Sequence, residues 1–189
     1  MRNPMKSRFL RKEDGSLSIE AVFTIPLLAW VIVATYVFFD AFKQLNVSQK
    51  ATYTVADMIS REETQVDDGY ITALHEVFSF IAGQRGPSAL RISVVEMCPP
   101  LNPGGDPFLE LAWSEGRMYD DLVTLDPIQD SIPTLSPGEQ LIVVESVQRW
   151  EPPFAEGLAA SYNFREVALA RPRFATKIVF DGVPEPCIT

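Results

Sequence analysis

Histidine is almost missing from this chain: His75 is the only one among 189 residues. Cysteine is nearly as scarce, with Cys98 and Cys187 alone. An H-E-x-x-H zinc motif therefore cannot be written, and neither G-x-S-x-G nor a Walker A loop occurs. His75 stands beside Glu76 in a helical pattern and reads as a surface or partly packed residue, not a general base. "NPGGDP", Asn102 to Pro107, precedes no helix start and reads as a turn, not a phosphate cradle. Asp120, Asp121, Asp126 and Asp130 lack the EF-hand order and read as a solvated acidic stretch. No catalytic residue, metal site or cofactor is expected.

Positive charge is also short. Sixteen Lys and Arg face 25 Asp and Glu, a net −9. A nucleic-acid partner, which wants a basic face, is not expected. The deficit is uneven: the first fifteen residues carry +3 and the rest −12. A basic head, an apolar run and an acidic body form a targeting pattern.

Charge is absent altogether from "AVFTIPLLAWVIVATYVFF", the 19 residues Ala21 to Phe39. As a helix this run reaches about 28 Å, close to the ~30 Å hydrocarbon layer of a bilayer. It lacks the polar stripe of a soluble helix. It also lacks a small-residue cleavage site at its end, so a removed secretory signal is not the reading. Pro26 is tolerable in lipid with a kink. The basic residues precede the run, which puts the N-terminus in the cytoplasm and the rest outside the inner membrane.

Proline and glycine are both absent from Leu27 to Asp68. One helix of roughly 40 residues, half in lipid and half outside, accounts for that silence. Leu45, Thr52, Val55 and Ile59 mark its packing stripe, with Val47, Ala51 and Met58 beside them. A charged loop is expected at Arg61 to Gly69. "YITALHEVFSFIAG" then predicts a second helix, with Ile71, Leu74, Val77, Phe78 and Ile81 on one face and Gly83 as terminator.

Of 15 prolines only Pro4 and Pro26 precede Pro87, so the second half is loops and short strands. Strands are predicted at Ala89 to Met97, Phe108 to Ser114, Glu139 to Trp150, Arg165 to Phe174 and Ala175 to Phe180. Pro172 ends or bends the fourth. Ile142, Val144 and Trp150 alternate with Leu141, Val143 and Val147, as in a sheet covered on one face along most of its length. Gly116 to Gly138 reads as a long irregular insertion. Trp113 and Trp150 read as core or sheet-face residues. "RPR", Arg171 to Arg173, is a candidate contact for lipid headgroups or a partner's acid. The fold class is α+β: a long N-terminal transmembrane helix, a second helix and an antiparallel sheet.

Cys98 and Cys187 both fall on the oxidising side, each next to proline in "MCPP" and "EPCIT". A disulfide between them is expected, with two buried free thiols as the alternative.

Upstream of the apolar run the chain reads "KEDGSLSIEAVFTIPLL". This resembles a type IV prepilin processing site, and more closely the TadE/TadF group of pilin-like proteins of tight-adherence pilus systems. "EQLIVVESVQRWEPPF" and "VALARPRF" also resemble the body of that group. The resemblance implies a basic leader, residues 1–15, cut by a prepilin peptidase between Gly15 and Ser16. Glu20 becomes the fifth residue of the mature chain. Residues 16–61 are then the long helix, with its transmembrane segment at 21–39, and 62–189 a pilin-like extracytoplasmic domain. The size of that domain points to a minor pilin, or pseudopilin. Its implied partners are the peptidase, other pilus subunits, inner-membrane assembly components and the lipid bilayer.

Glu20 has a physical reading beside this one. A carboxylate at a bilayer edge usually has a partner, and the amine freed by a cut after Gly15 in a neighbouring subunit would supply it. The alternative is an acid favoured by the positive end of the helix dipole. For the whole chain the competing function is a signal-anchored periplasmic binding domain unrelated to pili.

Overall fold

Helix α1 runs unbroken from Ser16 to Ser60, 45 residues, in a computed structural model that describes residues 16–63, 65–83, 86–154 and 159–187. At 1.5 Å per residue it is about 68 Å long. Pro26 lies inside it. The helix closes with tightened bonds, Arg61 N–H to Met58 O at 3.1 Å and Glu62 N–H to Ile59 O at 3.1 Å.

Helix α2 spans Asp68–Ala82. Asp67 caps it, its Oδ1 accepting from Tyr70 N–H at 2.7 Å, so the helix starts inside the stretch expected to be loop. Gly83, at φ 79°, ends it in a conformation that side chains disfavour. Ile71, Leu74, Phe78 and Ala82 form its buried face.

Four antiparallel strands follow: β1 (Ser88–Cys98), β2 (Phe108–Arg117), β3 (Gln140–Trp150) and β4 (Tyr162–Ala170). Their order in the sheet is β2-β1-β3-β4. Strand β4 stops two residues before Pro172, as its missing N–H requires. A bulge shifts the β1–β2 register between Val94 and Val95.

Both helices lie on one face of the sheet. Ala51, Val55 and Ile59 of α1 join Ile71, Leu74 and Phe78 of α2 over Leu90, Ile92, Ile142 and Val144. Across the sheet a second core holds Val95, Leu141 and Val143 against Leu122, Ile128 and Leu135. The expectation of a sheet covered on one face is therefore corrected. The irregular segment after β2 folds back and seals the other face of the central strands.

The expected fifth strand, Ala175 to Phe180, is also corrected. Only Val66 and Phe180 form a bridge there. Ile178 and Phe180 are buried as strand residues would be, but the backbone bonds elsewhere. Ile178 N–H donates to Gln140 Oε1 at 2.8 Å, and Ile178 O accepts from Trp113 Nε1 at 2.9 Å. Side chains satisfy the peptide groups that a neighbouring strand would have taken.

Candidate membrane and assembly interface

The first half of α1 is apolar and uncovered. Ile19, Val22, Phe23, Ile25, Leu27, Trp30 and Ile32 are all more than half exposed. This is the one helix among the described residues that is long and apolar enough to cross a membrane. A buried core helix would pass the same length test, but its surface would be covered; here apolar side chains face outward on every side.

The covered stripe begins within the apolar run and changes character along its length. Ala34, Val37, Asp40, Gln44, Ser48, Ala51, Thr52, Val55 and Ile59 are buried at the three- and four-residue spacing of one helix face. Its far end is aliphatic. Its near end is polar: the side chains of Asp40, Gln44 and Thr52 have partners there, while the buried Ser48 hydroxyl has none among the described residues. Trp150 Nε1 donates to Asp40 Oδ2 at 3.1 Å. Gln44 Nε2 donates to Ala82 O at 2.6 Å, at the end of α2. Thr52 Oγ1 lies 2.7 Å from Ser146 Oγ on β3. Thr52, Val55 and Ile59 lie on the packing stripe expected from the sequence; Asp40, Gln44 and Ser48 extend it toward the apolar run. Their four-residue spacing was the available signal.

Just below Asp40, Tyr36 meets Phe154 with ring centroids 6.2 Å apart. Phe154 follows Pro152 and Pro153 after β3, so the sheet's near corner reaches the apolar half of α1. Trp150, Tyr162 and Phe164 continue this aromatic group, Phe164 lying 6.4 Å from Trp150 and 5.4 Å from Tyr162. Tyr162 and Phe164 also line a cleft of about 660 Å³ between Leu45 and β4, edged by Arg149, Ser161, Arg165 and Glu166.

Gly15 lies outside the described residues, and Ser16 is the first residue of α1. Glu20 is exposed and makes no ion pair among the described residues. It is the fifth residue from Ser16, where the described part of α1 begins.

Cys98 and Cys187 are joined in a disulfide, their Cα atoms 5.3 Å apart. Glu110 Oε2 accepts from Cys187 N–H at 3.1 Å and lies 3.2 Å from Cys98 Sγ. These three residues are the one metal-type grouping among the described residues. With both sulfurs in the bridge, only the carboxylate remains to ligate, so the grouping is a structural clasp.

The remaining candidates have structural settings. His75 Nε2 donates to Ser88 O at 3.0 Å, tying α2 to β1. Asp121 Oδ1 accepts from Gly116 N–H at 2.6 Å. The "RPR" arginines are corrected as lipid contacts: Arg171 pairs with Glu139 at 2.8 Å and Arg173 with Asp57 at 3.2 Å. Asp57 stands 18 residues beyond Phe39 on α1, about 27 Å from the end of the apolar run.

Two ion pairs brace the sheet, one buried and one half-buried. Arg91 Nε donates to Glu145 Oε2 at 2.8 Å while its guanidinium lies 4.3 Å from the Tyr119 ring centre. Lys177 Nζ meets the buried Glu96 at 2.8 Å, and Gln140 Nε2 holds the other carboxylate oxygen at 2.8 Å. The bond to Glu96 raises the Lys177 pKa above its ordinary value. No protein-family model, no curated protein and no solved structure matches this chain.

Proposed function

We propose that the chain is a non-enzymatic, membrane-inserted minor pilin or pseudopilin of a tight-adherence pilus. A prepilin peptidase processes it between Gly15 and Ser16. The observation that carries this reading is α1 itself: a single helix, uncovered and apolar in its first half, clamped to an antiparallel sheet in its second. That is the architecture expected of a subunit held in the bilayer by one helix and displaying a folded body. The disulfide supports a body in an oxidising compartment, with the basic N-terminus in the cytoplasm. Glu20 then awaits the N-terminal amine of a neighbouring subunit.

N-terminal sequencing of the membrane protein tests the processing step. A start at Ser16 is expected, and Gly15→Leu should leave a precursor about fifteen residues longer. A start at Met1 in the parent chain points instead to a plain signal anchor. Glu20→Gln tests assembly: cleavage and insertion should survive, since the helix becomes less polar, while co-purification with other pilus subunits falls. Unchanged co-purification would remove Glu20 from the assembly role.

A further inference from the structure

We propose that the segment just after β3, residues 151–154, is a second membrane contact, with Phe154 seated at the headgroup–acyl boundary of the leaflet that the body faces. The proposal rests on the reading that α1 spans a bilayer.

Three observations place the segment at that depth. First, Phe154 touches Tyr36, which stands three residues inside the end of the apolar run. That is about 4.5 Å below its last residue, at the shallow edge of the ~5–10 Å reached by interfacial apolar groups. A body standing clear of the bilayer cannot make this contact. Second, Phe154 remains half exposed, as does Tyr36, although each is packed against the other. Phe39 and Phe42, also exposed, continue that surface. Aromatic side chains at this level are the usual composition of a membrane boundary.

Third, rings and charges share one surface here. Tyr162 and Phe164 line the same cleft as Arg149, Arg165 and Glu166. Leu45, on its helix side, is six residues past Phe39, about 9 Å higher. Arg149 there pairs with Glu151 at 3.1 Å. Cations and carboxylates interleaved with rings are the composition of a headgroup boundary. Phe174, exposed at the far end of the body, follows Arg173, whose N–H donates to Ser60 O at 2.8 Å near the end of α1.

The test is depth measurement on the full chain in phosphatidylethanolamine–phosphatidylglycerol vesicles. The native cysteines are held in the disulfide, so one added cysteine accepts a nitroxide label. Phe154→Cys is compared with Ile32→Cys on the apolar helix and Phe174→Cys at the far end. Relaxation by oxygen, which concentrates in lipid, is compared with relaxation by a water-soluble nickel chelate. The label at 154 should show an oxygen-to-nickel ratio severalfold above that at 174 and below that at 32. A ratio at 154 equal to that at 174, with 32 still oxygen-rich, overturns the Phe154 contact and leaves the span standing. A nickel-accessible label at 32 overturns the span, and the Phe154 contact with it.

Discussion

The Trp150 indole donates to Asp40 across 110 residues of sequence, at the point where α1 ceases to be apolar. The carboxylate is buried, and the indole N–H is one of the groups that makes its burial tolerable. Trp150→Phe keeps most of the ring volume and deletes the donor. A loss of about 1.5–3 kcal/mol is expected, the range for a hydrogen bond to a charged group. Chemical denaturation in detergent micelles checks it; an unchanged midpoint would show that the indole donor contributes nothing to the site.

Thr52 and Ser146 form a hydroxyl pair in the middle of the seam. Thr52→Val strands the buried serine hydroxyl and should cost about 1–3 kcal/mol. Adding Ser146→Ala should restore part of that loss, since neither partner then remains unpaired. A double-mutant cycle on denaturation midpoints reads the coupling directly. Simple additivity of the two changes would mean that the hydroxyls do not interact.

The disulfide closes 89 residues of chain, from the end of β1 to the C-terminal segment. In the chain-entropy model a closure of that length restrains the unfolded state by up to about 4–5 kcal/mol. Dithiothreitol should therefore lower the melting temperature of the parent and leave Cys98→Ala/Cys187→Ala unmoved. Alkylation before reduction should find no free thiol. Two reactive thiols in native protein would contradict the bridge.

Lys177 carries a pH signature. Its pKa is raised above the ordinary 10.5 by its hydrogen bond to Glu96, against a smaller opposing effect of burial. A raised pKa on a base means that the folded state holds the proton more tightly. The contribution is complete below the ordinary value and disappears as pH rises through the higher folded value. Lys177→Met should be less stable at neutral pH, toward the lower end of the ~3–5 kcal/mol cost of breaking a buried pair, because the lysine is partly exposed. The difference between parent and variant should stay flat from pH 8 to about 10 and shrink above that. Denaturation midpoints across this range check it; a gap that widens with alkali would refute the assignment.

Much of this fold was legible because its signals are local. The lack of glycine and proline after Pro26 marks α1, and alternation marks β3 to its last residue. What stayed hidden depends on distant partners. Residues 175–180 look like a strand because Ile178 and Phe180 alternate inward, yet Gln140 and Trp113, far along the chain, take the peptide bonds. Leu122, Ile128 and Leu135 follow neither helical nor strand spacing, so nothing nearby announces that they seal the second face. At the interface, the exposed apolar half of α1 could be read from composition alone. The contact between Tyr36 and Phe154 could not, since it joins residues that no local period relates.

Because α1 is unbroken, its two halves turn together like one shaft. Seating Asp40 and Thr52 against β3 sets the rotation of everything upstream. Glu20 lies twenty residues before Asp40, about 200° around the helix at 3.6 residues per turn. Its carboxylate is thereby turned away from the side that the body occupies. One residue inserted after Val33 would rotate it by about 100° relative to the sheet while Asp40 and Thr52 keep their seats. The body thus acts as an angular index, setting the direction in which the helix offers its acid to whatever stands beside it.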